Sequence, residues 1–458
     1  MAIHAAVLVL WVSLFLLAFG RGGVLAWSVG LAYLGYDVAL QMFTGWQIRQ
    51  IGRTEPPAPM VTGLTIAVIV AAHNELTALP GTLAALLAQT DAPDEILIAD
   101  DGSADGSAEM LCAEYGFTMP TVGEVSGPVL VGGTVLRWLR LARGGKSAAL
   151  NAGLRCTAAD LVLTVDADTV PERAAIAAVR QAFSREPQIV GATGIITPQC
   201  RTTPVGRIME WFQTYEYIRN FLARYAWMQV DCLQLISGAF AAFRRQAVVD
   251  VGGFDDACLV EDYELVTRMR RYAGERGLDW RFRVLGDAQA RTEAPGSVRA
   301  FLGQRRRWFG GFLQTHWWYR GMVGDPRLGR LGTIMLPVKA VDTLAPLYGL
   351  TAFALLVYFL ACGRFAVVGP VVLVVVGKLA VDVAFHLWAL RRYRRWVGDP
   401  ARANMAAAAA ALVLEPVTFT LLLHTGALLG WLAFLRRGQR WEAPRRFGLS
   451  GAKVRAGG

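Results

Sequence analysis

Chemistry can be read first from three carboxylates, Asp166, Asp168 and Asp262. Asp166 and Asp168 lie two apart on what reads as extended chain, so their side chains can point the same way. Two convergent carboxylates suit a hard divalent cation, commonly shared with substrate phosphates. The same pair also suits a solvated turn with helix-capping aspartates. Asp262 heads a charged segment in which Arg268, Arg270 and Arg271 follow. A carboxylate there is either a general base or a capping or salt-bridged group, and spacing alone leaves both open. Asp100-Asp101-Gly102-Ser103 can likewise bind a ligand or cap a helix. Arg143-Gly144-Gly145-Lys146-Ser147 sets a lysine after two glycines at a helix start, an apt anion contact. It lacks the first glycine of GxxxxGK[ST] and is no phosphate loop of that type.

These residues need a scaffold, and the surrounding pattern supplies one. Short β-rich runs at 65–72, 95–100, 135–142, 160–168 and 188–197 alternate with helical segments at 78–89, 103–115, 146–156 and 172–185. The alternation predicts βαβ units in an α/β, Rossmann-like, mainly parallel sheet, with a ligand crevice at the carboxyl ends of the strands. The polar clusters fall at those ends: His73-Asn74-Glu75 after the first strand, Asp100 to Ser103 after the second, Asp166 to Asp168 closing the fourth.

The rest of the chain reads as membrane sequence. Of 458 residues 54% are hydrophobic, and the net charge is +10; mean hydropathy is +0.37. The basic residues flank apolar runs rather than forming a polar face, which fits cytoplasmic loops and not nucleic acid. Six scattered cysteines with no CxxC pair read as reduced structural thiols. Apolar runs at 5–19 and 24–46 predict a transmembrane hairpin within residues 1–50. Pro56, Pro57 and Pro59 make a stiff linker into a cytosolic domain spanning 51–320. Runs at 334–361, 365–390 and 405–435 place a transmembrane region at 321–440, before a short basic tail at 441–458. Arg391 to Arg395 and Arg436-Arg437 both read as cytoplasmic anchors, and three spans cannot satisfy both. Either one run is interfacial or re-entrant, or 405–435, interrupted at Glu415-Pro416, is a hairpin. Apolar stripes at 203–228 and 298–317 suit amphipathic helices at the membrane interface, or helices packed on a core.

The motifs in order are VAAHNE, IADDGSADGS, GGKSAALNAGL, VDAD, ISGAFAAFRR (236–245), VGGFD (251–255), VEDYELVTRM (260–269) and QRRRW (304–308). Over about 65–310 this combination resembles the GT-A nucleotide-sugar domain of family 2 inverting glycosyltransferases. It is most similar to the membrane-embedded processive polysaccharide synthases that make poly-N-acetylglucosamine, chitin oligomers, hyaluronan or cellulose. The resemblance implies that Glu75, Asp100 and Asp101 hold the uridine of a UDP-sugar. It puts Lys146 beside uracil and diphosphate, Asp166 and Asp168 on diphosphate and Mg2+ or Mn2+, and Asp262 as the general base with Glu261 in support. In QRRRW, Gln304, Arg307 and Trp308 fall on one helix face and Arg306 turns away. By the resemblance Arg307 meets the diphosphate, and Trp308, Gln304 and Gly238 serve the acceptor.

The function so implied is extension of a β-linked exopolysaccharide at the bacterial inner membrane, coupled to export. Its partners would be the UDP-sugar, the growing polysaccharide, the bilayer and other synthesis or export subunits. The alternatives are a non-processive enzyme adding one sugar to a lipid-phosphate carrier, and an inactive scaffold or export subunit. QRRRW speaks against the first and the intact acidic set against the second. Val260 stands where many members carry threonine, His73 where tyrosine or proline is common, and residues 235–239 lack the cysteine of cellulose synthases. These departures leave the sugar open between GlcNAc and glucose. Lys339 with Asp342, and Lys378 with Asp382, are either structural ion pairs or a polar lining for a moving glycan.

Overall fold

A computed structural model describes residues 2–52, 63–398 and 404–436. The linker prolines Pro56, Pro57 and Pro59, Arg437 and the basic tail lie outside the described residues. The chain opens with α1 (Ala2–Gly20) and α2 (Ser28–Ile48), then runs β1 (Ile66–Ala72), α3 (Leu79–Leu87), β2 (Glu95–Asp101) and α4 (Ser107–Tyr115). It continues through β3 (Val129–Val131), β4 (Thr134–Leu141), α5 (Lys146–Cys156), β5 (Leu161–Asp166), β6 (Thr169–Pro171), α6 (Ala175–Arg185) and β7 (Ile189–Gln199). Next come α7 (Pro204–Gln229), β8 (Phe240–Arg244), α8 (Arg245–Asp250), α9 (Glu261–Arg276), β9 (Arg281–Glu293) and α10 (Val298–Trp318). The last elements are α11 (Leu336–Asp342), α12 (Ala345–Ala361), α13 (Phe365–Val397), α14 (Met405–Leu414) and α15 (Phe419–Leu435). Two compact units result: a sheet unit (63–217 and 233–296) and a helical unit (2–52, 218–232, 297–398 and 404–436).

In the sheet unit nine strands form one sheet in the order β3-β4-β2-β1-β5-β8-β7-β9-β6. β4, β2, β1 and β5 run parallel, as do β7 and β9. Buried strands such as β1 read as unbroken apolar runs because both faces are covered. The expectation of a mainly parallel sheet needs correcting. β8 is antiparallel to both β5 and β7, and β3 and β6 pair antiparallel at the two edges, so the sheet is mixed. β9 escaped the sequence reading because its outward positions carry arginines. Its burial alternates along the strand, with Phe282, Val284, Ala288 and Ala290 inward.

Three boundaries also move, two of them for a hydrogen-bonding reason. α4 begins at Ser107 rather than residue 103, because the preceding loop is tied elsewhere: Ser103 N–H donates to Asp100 Oδ1 (2.9 Å) and Ala104 N–H to Asn74 Oδ1 (2.8 Å). α6 begins at Ala175 rather than 172, since the Glu172 carbonyl accepts from Gln89 Nε2 (3.0 Å) and the Arg173 carbonyl from Thr90 N–H (2.8 Å). β5 stops at Asp166, and the chain turns through Ala167-Asp168 into β6. Asp166 and Asp168 therefore do not alternate along one strand.

Among the described residues the helical unit has four helices long and apolar enough to cross a membrane: Ala2–Gly20, Gly23–Ile48, Leu331–Ala361 and Phe365–Val397. Large apolar side chains face outward on them, including Val9 (65% exposed) and Leu373 (74%), as helices immersed in an apolar medium do. Met405–Val417 and Phe419–Leu435 form a further pair bent by 51°. The bend falls at Glu415-Pro416, and the buried Glu415 carboxylate pairs with Arg219. The interruption at 415–416 is thus a break within a broken span or re-entrant segment. The charges inside the apolar runs are paired. Lys378 Nζ meets Asp37 (2.6 Å) and Asp382, while Lys339 meets Asp342 (2.6 Å), which also accepts from Tyr36 Oη (2.6 Å). All six cysteines are free thiols.

The stripe expected on α7 is met in part. Phe212, Tyr215, Ile218 and Leu222 are buried, but Val205 and Ile208 are more than half exposed. Polar Gln213 is fully buried as well, its Nε2 donating to the Met209 carbonyl (3.1 Å) and the Pro295 carbonyl (3.0 Å). On α10, Phe301 and Leu313 are buried while Val298 and Trp317 are exposed.

Candidate functional site

The loops after β1 and β2 are knit together at the carboxyl edge of the sheet. Asn74 adopts positive φ (57°), and its N–H donates to Ser103 Oγ (3.0 Å). His73 Nδ1 lies 2.8 Å from the Asp101 carbonyl, and Leu76 N–H donates to Asp105 Oδ2 (2.8 Å). Glu75 and Asp100 are buried beside these contacts.

Asp101 answers the question left by the two glycines before Lys146. Its carboxylate accepts N–H bonds from Gly144 (2.6 Å) and Gly145 (3.0 Å) and an ion pair from Arg143 (2.5 Å). The anion at the start of α5 is therefore the protein's own. Gly145 takes φ of 92° there, a conformation that favours glycine. Arg143 was missed in the sequence, and its signal was only its place beside the two glycines. Asn151, in the second turn of α5, was missed as well. Its Oδ1 accepts Phe254 N–H (2.7 Å) and its Nδ2 donates to the Phe254 carbonyl (2.7 Å). A Cβ at Gly253 would lie 2.4 Å from that Oδ1, which explains the glycine of VGGFD.

Held in this way, α5 projects Lys146 into an acidic cluster. Lys146 Nζ lies 2.6 Å from Asp166 Oδ1 and 3.0 Å from Glu261 Oε1. Burial works against the ammonium, but Asp166, Glu261 and Asp262 outweigh it and hold its pKa above the usual lysine value. Next to Glu261, Asp262 is clamped by two backbone donors: Gly238 N–H to Oδ2 (2.7 Å) and Tyr263 N–H to Oδ1 (2.8 Å). The Ala239 carbonyl accepts from Asp166 N–H (3.2 Å), tying this segment to β5. Gly238 thus contributes a backbone amide to Asp262. A Cβ at Gly238 would stand 3.1 Å from Asp262 Oδ2 and 3.2 Å from its Cβ, so the carboxylate would have to shift. Gly238→Ala is expected to lower kcat about tenfold with nucleotide affinity unchanged, as steady-state kinetics and calorimetry would show.

Burial and the neighbouring Glu261 carboxylate push the Asp262 pKa up to about 6, against the opposing pull of Lys146 and the two N–H donors. A carboxylate acting as a base must be unprotonated, so in that role Asp262 would give activity above that pKa and lose it below. The expected kcat/KM profile rises through an apparent pKa near 6 and then levels; a profile flat from pH 5 to 8 would show that Asp262 does not govern the rate.

Asp168 is buried, and its Oδ1 lies 3.4 Å from Thr292 Oγ1. Asp166 and Asp168 are hard oxygen donors, and the ammonium on Asp166 shows that positive charge is held at this point. No cluster of three metal-binding side chains occurs among the described residues. The set fits Mg2+ or Mn2+, cations that bind through one or two carboxylates and complete their shell with substrate phosphate.

Of the residues marked in the sequence, Glu75, Asp100, Asp101, Lys146, Asp166, Asp168, Gly238 and Asp262 all lie in the sheet unit. Gln304, Arg307 and Trp308 lie in the helical unit, on α10. There Arg306 is exposed and Trp308 half-buried. The Gln304 side-chain oxygen is buried and makes no hydrogen bond among the described residues.

The sheet unit is thus a mixed sheet carrying a lysine-bridged acidic cluster. The family model described as Glycosyl transferase family group 2 matches residues 161–435, and that of Glycosyl transferase family 2 matches residues 67–252. The chain belongs to the glycosyl transferase family group 2 and is a family 2 glycosyltransferase. It is 27% identical over 244 residues to the poly-beta-1,6-N-acetyl-D-glucosamine synthase of Staphylococcus aureus (strain COL), 53% of each chain. To the enzyme of the same name from Staphylococcus epidermidis it is 26% identical over 246 residues, again 53% of each. The chain spans about half the length of the curated relatives it matches. In fold it is similar to mannosyltransferase PcManGT from Pyrobaculum calidifontis, solved in complex with GDP-Man and Mn2+. The TM-score is 0.54 at 22% identity, over 86% of this chain and 99% of that one.

Proposed function

We propose that this chain transfers a sugar from a UDP-sugar to the end of a growing β-linked polysaccharide, from a catalytic domain on the cytoplasmic side of a bacterial membrane, with export of the product. The observation that carries the reading is Asp262: one half-buried carboxylate with a raised pKa, clamped by two N–H donors beside the Lys146–Asp166 pair. One base suffices for an inverting transfer. The acceptor hydroxyl loses its proton to Asp262 as its oxygen attacks the anomeric carbon, and the bond to the diphosphate oxygen breaks. Asp166 and Asp168 would hold Mg2+ or Mn2+, which would supply charge neutralisation for the diphosphate leaving group. Glu75, Asp100 and Asp101 hold the uridine, and Lys146 lies along uracil and diphosphate. Arg307 offers a planar guanidinium to phosphate. Trp308 offers a ring face to the acceptor sugar, with Gln304 beside it on the helix. The outward apolar side chains of the candidate spans support a membrane setting. The staphylococcal relatives favour GlcNAc over glucose.

The purified protein, in lipid, should release UDP from UDP-GlcNAc in preference to other nucleotide sugars. Radiolabelled donor should yield material too large to extract into chloroform. A chloroform-soluble monosaccharide lipid as the sole product would instead mark the non-processive transferase.

A further inference from the structure

The helical unit carries one arrangement that the transfer chemistry does not use. Arg305 is 8% exposed. Its guanidinium lies over two rings of its own helix, 4.6 Å from the Phe301 centroid and 4.4 Å from that of Trp308. The three residues stand at i−4, i and i+3, on one face of α10. A cation over a ring face gains most where water is excluded, and the flat, weakly hydrated guanidinium suits such burial better than an ammonium.

The neighbour that excludes water is α15. Gly426 and Gly430 stand four apart on it, the small-xxx-small spacing that lets apolar helices approach closely. A Cβ at Gly426 would lie 2.5 Å from Arg305 Cβ. At Gly430 it would lie 2.8 Å from Phe309 Cβ and 2.9 Å from Gly310 N. None of these atoms is the free end of a side chain that could swing aside. Phe419 of α15 packs on Phe301, with ring centroids 4.9 Å apart. The Arg305 stem is thus sandwiched between helices while Arg306, its neighbour, is exposed.

We propose that Arg305 is a positioning residue for Trp308, holding the indole from one side while Gly426 and Gly430 seal the stack beneath α15. The last apolar helix thereby sets the orientation of the aromatic platform. This role rests on Trp308 serving as the acceptor platform proposed above. Its signature is a split: loosening the stack weakens acceptor use and shortens the polymer, and leaves donor binding alone.

The test uses full-length protein in lipid nanodiscs, comparing wild type with Arg305→Met, Arg305→Lys, Gly426→Ala and Trp308→Ala. Product length, KM for an oligosaccharide primer and UDP affinity by calorimetry are read for each. Arg305→Met and Gly426→Ala are expected to shorten the product and raise the primer KM about tenfold, with UDP affinity held within about twofold. Arg305→Lys, which keeps the cation, should recover part of the length. If Arg305→Met does not accumulate as folded protein, Arg305→Lys and Gly426→Ala decide on the same readouts. Wild-type length and primer KM in the Arg305 and Gly426 variants, with elongation lost in Trp308→Ala, would overturn the positioning role and leave the platform standing. Unimpaired elongation in Trp308→Ala would overturn both. A smaller yield of product of unaltered length would reduce Arg305 to a structural residue and also overturn the proposal.

Discussion

Asp262→Asn is expected to lower turnover about a thousandfold while nucleotide binding persists, because an amide keeps the shape of the side chain and cannot take a proton. The clamp makes the substitution informative. Both carboxylate oxygens accept backbone N–H bonds, from Gly238 and Tyr263, so an amide must turn its NH2 towards one of those donors. That mismatch costs about 1–2 kcal/mol of stability, well short of unfolding a domain of this size. UDP release would measure turnover and calorimetry would measure binding. Turnover within tenfold of wild type would remove Asp262 as the base and direct attention to Glu261, which shares the cluster.

Lys146→Met should have the next largest effect, and it has two parts. It leaves Asp166 and Glu261 facing each other without the cation that bridges them at 2.6 Å and 3.0 Å. Breaking a fully buried pair costs about 3–5 kcal/mol; water reaches this site, and about 2 kcal/mol is expected, visible as a lower Tm. The second part is electrostatic. Lys146 pulls the Asp262 pKa down from where burial and Glu261 would set it. Removing it moves the rising limb of kcat/KM to higher pH, so activity at neutral pH falls further than activity at pH 9. Loss of UDP affinity should accompany both. A limb that stays near pH 6 in this variant would show that Lys146 does not tune the base.

Much of this site was legible because its parts sit where strand runs end. The parallel strands β1, β2 and β5 have buried apolar cores, β4 sets buried Leu136 and Trp138 beside half-buried arginines, and α5 begins where a lysine follows two glycines. The antiparallel half was not legible. β8 is a five-residue strand inside a motif, and β9 is thick with arginines that its outward positions accommodate. What could not be read at all was which partner each polar group finds across the fold. Asp101 could bind a ligand or cap a helix by its sequence, and the fold shows its carboxylate also accepting the amides at the head of α5. Nor did the sequence show that the Gly238 N–H holds Asp262. The glycine pair of α15 carried a spacing signal, Gly426 to Gly430, whose meaning depends on the backbone packed against it. Arg305 was hidden for the opposite reason: in a row of three arginines beside an apolar region, burial of one of them has no sequence signature.

The central claim is a single displacement assisted by one base, and the anomeric configuration of the product tests it most directly. The new glycosidic linkage made from an α-linked UDP-sugar should show, by proton NMR of the polymer or of an elongated primer, the large anomeric coupling of a β-glycoside. An α-linked product would require a second displacement or a different geometry of attack, and would contradict the mechanism built on Asp262.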